Sequence, residues 1–187
     1  MFSDSSLGGT LSGNEREAEP GKIAVILIAA FLLQTILSPN MAIDNISPNF
    51  FLIAMLVIAA STPRKSSTII GFCVGLLFDL LGGSGVGCMA LVMALASFAI
   101  SYATETVKIE SFSSWLIWLV LTALCVNLAY LVVLAIAGME ASFFASIVSR
   151  VLPWTLYDTV VGAIFWPLAK KAIVPPQYNM LDSRIQL

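Results

Sequence analysis

The stretch IIGFCVGLLFDLLGGSGVGCMALVMAL, Ile69 to Leu95, sets one carboxylate, Asp79, in an otherwise apolar run that turns at a cluster of glycines. What an acid does there depends on whether the run lies in water, in a protein core or in lipid. Composition decides between them. The chain has 187 residues, 59% of them hydrophobic and only 11% charged, with a mean hydropathy of +0.96. A soluble domain carries about 25% charged residues. The sequence therefore reads as an all-α integral membrane protein. Its three cysteines, Cys73, Cys88 and Cys125, sit in apolar runs without paired spacing, so neither a disulfide framework nor a zinc site is indicated. The chain has no histidine, which excludes histidine-based catalysis and histidine metal ligation.

Working outward from Asp79, a hydrocarbon core of ~30 Å needs roughly 20 apolar residues per helix. Six segments qualify: Lys22 to Ser38, Asn49 to Thr62, Ser67 to Leu81, Val86 to Ala103, Phe112 to Gly138, and Phe143 to Ala169. The second and third are short, and either borrow flanking residues such as Ile46 and Ser66 or lie tilted against protein rather than lipid. Residues 1–21 are polar and rich in Gly and Ser, and read as a disordered tail. Its acids, Glu15, Glu17 and Glu19, do not suit a cleavable signal peptide, so the first apolar run is expected to stay as an anchor. The six-helix domain is expected over 22–171, followed by a second tail over 172–187.

Orientation follows from the basic residues, because Lys and Arg accumulate in cytoplasmic loops. Arg16 and Lys22 precede the first span, Arg64 and Lys65 separate the second and third, Lys108 separates the fourth and fifth, and Lys170, Lys171 and Arg184 follow the sixth. The alternate loops, Pro39 to Pro48, Gly82 to Gly85 and Met139 to Ala141, contain neither Lys nor Arg. That alternation predicts six crossings with both termini cytoplasmic. Trp115, Trp118 and Trp166 then fall toward the cytoplasmic ends of their spans, at the depth amphipathic rings prefer.

With this topology Asp79 lies near the extracytoplasmic end of the third span, just before Gly82 and Gly87. It either reaches the outer headgroups or turns inward toward a partner, as ionisable groups within spans usually do. Arg150, of opposite charge and similar depth, is the candidate partner. Gly71 and Gly75 form a small-xxx-small pattern on the Asp79 helix, which permits close helix approach. The last region is longer than one span and contains Pro153. Either one long helix kinks there, or Glu140 to Arg150 lies along the outer interface. Asp158, two turns deeper than Arg150, would cost ~2.5–3.5 kcal/mol if left alone. Asn127 and Tyr130 lie at its depth as donors. The set lacks the ladder of acids and the paired broken helices of transporters, and Ser146, Ser149 and Thr155 have no histidine or lysine near them. It reads as a structural core.

The Ile69–Leu95 stretch also resembles the central signature of the MreD family, rod shape-determining membrane proteins of bacteria. There a basic loop leads into Gly-Phe, Gly-Leu-Leu, Asp-Leu-Leu and a Gly-rich turn, matched by Gly71, Phe72, Gly75, Leu76, Leu77, Asp79, Leu80, Leu81, Gly82 and Gly87. The last span is similar in carrying Arg150, Leu152, Pro153, Leu156 and Tyr157 in order. The chain departs from the pattern at Pro48-Asn49, where Pro-Asp is expected, and at Asp158, where a neutral polar residue is expected. The resemblance covers roughly 48–171.

It implies a non-enzymatic, cofactor-free subunit of the cell-wall elongation machine in the bacterial cytoplasmic (inner) membrane. The implied partners are MreC, MreB, RodA and a penicillin-binding transpeptidase. It further implies a six-helix fold similar to the substrate-binding subunit of energy-coupling-factor transporters. That likeness supplies a rival expectation, a vitamin-like small-molecule binding subunit. The implied structural or partner-binding residues are Gly71, Gly75, Asp79, Gly82, Gly87, Asn127, Arg150, Pro153, Tyr157 and Asp158.

Overall fold

The computed structural model describes residues 20–43, 46–82, 86–107, 109, 111–138 and 143–173. The expected N-terminal tail, apart from Pro20 and Gly21, and the C-terminal tail from residue 174 onward lie outside the described residues. Those described are helical apart from short connections and one isolated bridge, Ile43 with Ile46. Helix α1, Pro20–Asn40, passes through a π-helical turn at Leu33–Leu37. Helices α2, Phe50–Ser61, α3, Arg64–Gly82, α4, Cys88–Thr104, and α5, Phe112–Ile136, follow. Helix α6 begins at Phe143–Ser146, takes a π turn at Ile147–Val151 and continues as Leu152–Ile164, after which a short α7, Trp166–Ile173, is the last described element.

Three of these, α1, α3 and α5, are long and apolar enough to cross a membrane, and α2 and α4 are shorter apolar helices. All-helical architecture and spans of this kind fit a multi-pass membrane protein.

Helix α2 organises the bundle. Every residue from Phe50 to Ala60 is buried, and a helix apolar all round its circumference is stable only when enclosed. Helices α1, α3, α4, α5, α6 and α7 all touch it. Its 12 residues rise only ~18 Å, well short of a ~30 Å hydrocarbon core. Of the two readings of the short second span, enclosure by protein holds. Hydroxyls satisfy its last carbonyls: Ser61 Oγ donates to Val57 O at 2.7 Å, Thr62 Oγ1 to Ile58 O at 2.7 Å, and Ser101 Oγ to Thr62 O at 2.7 Å.

The most intimate pairing joins α3 and α4. A Cβ on Gly71 would lie 2.7 Å from Met93 O, and one on Gly75 would lie 2.5 Å from Met89 O and 2.6 Å from Ala90 Cα. Only glycine lets these backbones touch, as small-xxx-small spacing implies. Ser67 Oγ donates to Ser97 O at 3.1 Å within the same seam. At the other end of the hairpin Arg64 forks onto Glu105 with bonds of 2.8 and 2.6 Å, and its guanidinium lies 4.9 Å from the centre of the Tyr102 ring.

On the far side α5 packs against α6. Trp115 is fully buried, and its Nε1 donates to Gly162 O at 3.1 Å. Its indole is an interhelical tie, whereas Trp118 and Trp166 are only partly covered. The last region is continuous helix from Phe143 to Ile164. Pro153, which has no N–H to give, follows directly on the π turn, where Leu152 N reaches back to Ile147 O. The wider turn absorbs the irregularity.

Candidate functional site

The candidate site is the set of buried polar side chains. Asp79 is 1% exposed. Its oxygens accept the backbone N–H groups of Gly87 at 2.9 Å, Met89 at 3.0 and 3.1 Å, and Ala90 at 3.1 Å. These are the leading amides of α4, which have no partner within their own helix. Gly87, at φ +99°, makes the approach possible, since its left-handed backbone aims successive N–H groups at the acid. Asp79 is thus an N-cap supplied from the preceding helix: it satisfies three donors and places negative charge at the positive end of the α4 dipole.

The expected pair with Arg150 is overturned. Both Asp79 oxygens are occupied by amides, and Arg150 is exposed on the π turn of α6. A buried acid beside a helix N-terminus needs no cationic side chain, because aligned amides supply the compensating partial charge. Gly82 ends α3 on an exposed position and does not touch the carboxylate.

Asp158 repeats the device at a second helix. It is also 1% exposed. Its Oδ1 accepts Asn49 N at 2.8 Å and its Oδ2 accepts Asn127 Nδ2 at 3.3 Å. The next amide, Phe50 N, donates to Gln34 Oε1 at 2.8 Å, and Leu52 N donates to the Asn49 side chain at 3.0 Å. Three amides leading into α2 thus end on side chains from three different segments. Gln34 Nε2 donates to Ser38 Oγ at 3.1 Å, and Ser38 Oγ donates to Pro48 O at 2.9 Å. Tyr157 Oη donates to Met41 O at 2.6 Å.

Helix α2 therefore starts beside Gln34, about 20 Å along α1, where lipid-exposed irregular backbone would be intolerable. It survives because protein surrounds it and its polar groups are paired. Asn127 meets Asp158 as expected, and also approaches Thr155 Oγ1 at 3.4 Å. Tyr130 borders the same small cavity as Asp158 but stacks edge-on against Phe78 with ring centres 6.5 Å apart.

Gln34, Ser38 and Asn49 were not among the residues singled out from sequence. Gln34 and Ser38 are an i, i+4 polar pair in an apolar helix, which marks an inward face. Asn49, directly after Pro48 and before eleven apolar residues, carries an N-cap signature.

Residues 20–173 match the family profile described as rod shape-determining protein MreD. This chain belongs to the MreD family. The match spans the whole described bundle, from the start of α1 to the end of α7. Family membership makes the chain a rod shape-determining membrane protein and ties it to the apparatus that sets cell shape. The Asp79-to-Gly87 stretch that carries the MreD resemblance in sequence is the same stretch that joins α3 to α4 through the cap. No solved structure matches the chain.

Proposed function

We propose that the chain crosses the bacterial cytoplasmic membrane six times with both termini inside. In this reading it is a non-enzymatic scaffold of the cell-wall elongation complex, binding MreC and acting with MreB, RodA and a penicillin-binding transpeptidase. The observation that carries the reading is the use made of the intramembrane polar groups. Asp79 caps α4 and Asp158 caps α2, while Trp115, Tyr157, Gln34 and Ser38 tie helix to helix. A protein whose interior polarity is spent on its own fold acts through the surface it presents and through the state of its partners.

The orientation is supported by Lys22, Arg64 and Lys65, and Lys170 and Lys171, at the ends of α1, α3 and α7 that alternation assigns to the cytoplasm. The cavity beside Asp158, with a volume of about 50 Å³, is too small to be the pocket of a vitamin, since pockets for drug-sized ligands run ~300–1,000 Å³.

The test is depletion combined with capture. Cells depleted of the protein should widen or round up, and MreC should co-purify with the wild-type chain at native expression. Intact rod shape and intact MreC recovery elsewhere in the complex, accompanied by loss of uptake of a vitamin, would assign the chain to the transporter class.

A further inference from the structure

The two buried acids do the same work but are not equally satisfied. A carboxylate offers about four lone-pair positions. Asp79 fills its own with four contacts to three amides between 2.9 and 3.1 Å. Asp158 receives one amide at 2.8 Å and one side-chain amide at a long 3.3 Å, and that side-chain amide is shared with Thr155. The α2 N-terminus contributes only roughly half a positive charge. No Lys or Arg among the described residues pairs with Asp158. It therefore keeps acceptor capacity at 1% exposure.

That capacity faces space. Asp158 lines a cavity of about 50 Å³ together with Ser47, Asn49, Asn127 and Tyr130, with Phe78 among the apolar walls. Asp79, the saturated acid, does not line it. A water needs ~10–15 Å³ measured this way, so the cavity has room for a few waters or for an ion with part of its shell. The cavity adjoins the start of a helix that begins partway through the bundle. Elsewhere, unwound backbone and broken helices near the membrane centre hold alkali cations.

We infer that this cavity is a site for a monovalent alkali cation of sodium size. Asp158 supplies the charge, and the side-chain oxygens of Ser47, Asn127 and Tyr130 supply neutral ligands. A single carboxylate among neutral oxygens suits a monovalent ion, whereas calcium or magnesium sites draw on more carboxylates or on substrate phosphates. The cation would lock α5 and α6 to the start of α2, because its ligands come from these three places. The inference does not depend on the identity of any partner, and its failure leaves the shape-determining role untouched.

The test is the thermal unfolding midpoint of the purified full chain in micelles. Sodium chloride or potassium chloride replaces N-methylglucamine chloride at constant ionic strength and pH. The midpoint of the wild type should rise saturably with the alkali cation. Asp158→Asn keeps an acceptor for Asn49 N and so keeps the cap, but it should lose the cation response, while Asp79→Asn retains it. Should Asp158→Asn not fold, Tyr130→Phe preserves the ring contact with Phe78 and removes one ligand. It should raise the half-saturating concentration roughly five-fold, the worth of one net polar contact. Equal responses to all three salts, a response unchanged in Asp158→Asn or Tyr130→Phe, or a midpoint governed by pH alone would each overturn the inference.

Discussion

Replacing Asp79 separates the cap from an ion pair, because the two arrangements predict opposite double-mutant behaviour. Asp79→Asn leaves one carbonyl oxygen to serve the amides of Gly87, Met89 and Ala90 and turns an NH₂ donor toward them. Hydrogen bonds to a charged acceptor contribute ~1.5–3 kcal/mol each, and a neutral one about 1 kcal/mol. Asparagine is itself a competent N-cap, so the expected loss is about 2–4 kcal/mol, not the full sum. Asp79→Leu strands all three donors among apolar atoms and should cost more, about 3–9 kcal/mol, at ~1–3 kcal/mol per buried unsatisfied group. Arg150→Gln on the exposed face of α6 should stay within ~0.5 kcal/mol. The double mutant should then be additive to within ~0.5 kcal/mol. Reversible unfolding in mixed micelles, followed by tryptophan fluorescence and helical circular dichroism, measures all four corners of the cycle. A double mutant more stable than Asp79→Asn by over ~1 kcal/mol would mean that a stranded Arg150 was being relieved, and the cap account would be wrong.

Gly75→Leu places side-chain atoms where even a Cβ would lie 2.5 Å from Met89 O; it should separate α3 from α4 at a cost above the ~1–3 kcal/mol of ordinary overpacking, and recovery of MreC by the variant should fall in parallel. Asn127→Ala removes a donor from Asp158 and should cost about 1–3 kcal/mol, while Thr155→Val, at the 3.4 Å contact, should cost under ~1 kcal/mol in the same unfolding assay. Glu105→Gln weakens an ion pair whose side chains are 42% and 43% exposed, and should change stability little, and less still at high salt. Single cysteines in a cysteine-free background should react with an impermeant thiol reagent at Asn45 or Ser84 in intact cells with any outer membrane permeabilised, and not at Ser66 or Glu110; labelling at Ser66 would reverse the orientation.

Much of this architecture is legible in residue order. The apolar runs locate the helices, the glycine spacing at Gly71 and Gly75 marks the closest seam, and Asn127 is visible as a donor at the depth of Asp158. The pairing of Asp79 is not legible by charge matching, because its partner is three backbone amides with no side-chain signature. The relevant cue is positional: an acid that ends one apolar helix and is followed, across a glycine turn, by the first residues of the next. Enclosure of α2 is equally invisible to local pattern. Its composition says only that no face is polar, and whether lipid or protein covers those faces depends on six other helices. The π turns at Leu33–Leu37 and Ile147–Val151 likewise arise from tertiary demands. The first lies where Gln34 must reach Phe50 N, and the second where Pro153 withholds an amide.

The two acids together explain how a helix can begin inside an apolar bundle. A helix starting at the headgroups hands its first amides to water, but α2 starts beside Gln34, inside the length of α1, and has none to hand them to. Its leading donors must be met by side chains, and the strongest acceptor for them is a carboxylate, because the helix end itself supplies an opposing partial charge. Asp158 from α6 fills that role for α2, as Asp79 from α3 does for α4, and each bond ties a helix end to another helix. Neutral replacements that keep an acceptor should therefore preserve the fold better than apolar ones at both positions. The expected ranking of abundance is wild type, then Asn, then Leu at Asp79 and at Asp158 alike. An apolar residue tolerated better than Asn at either position would show that the acid there is not holding a helix end.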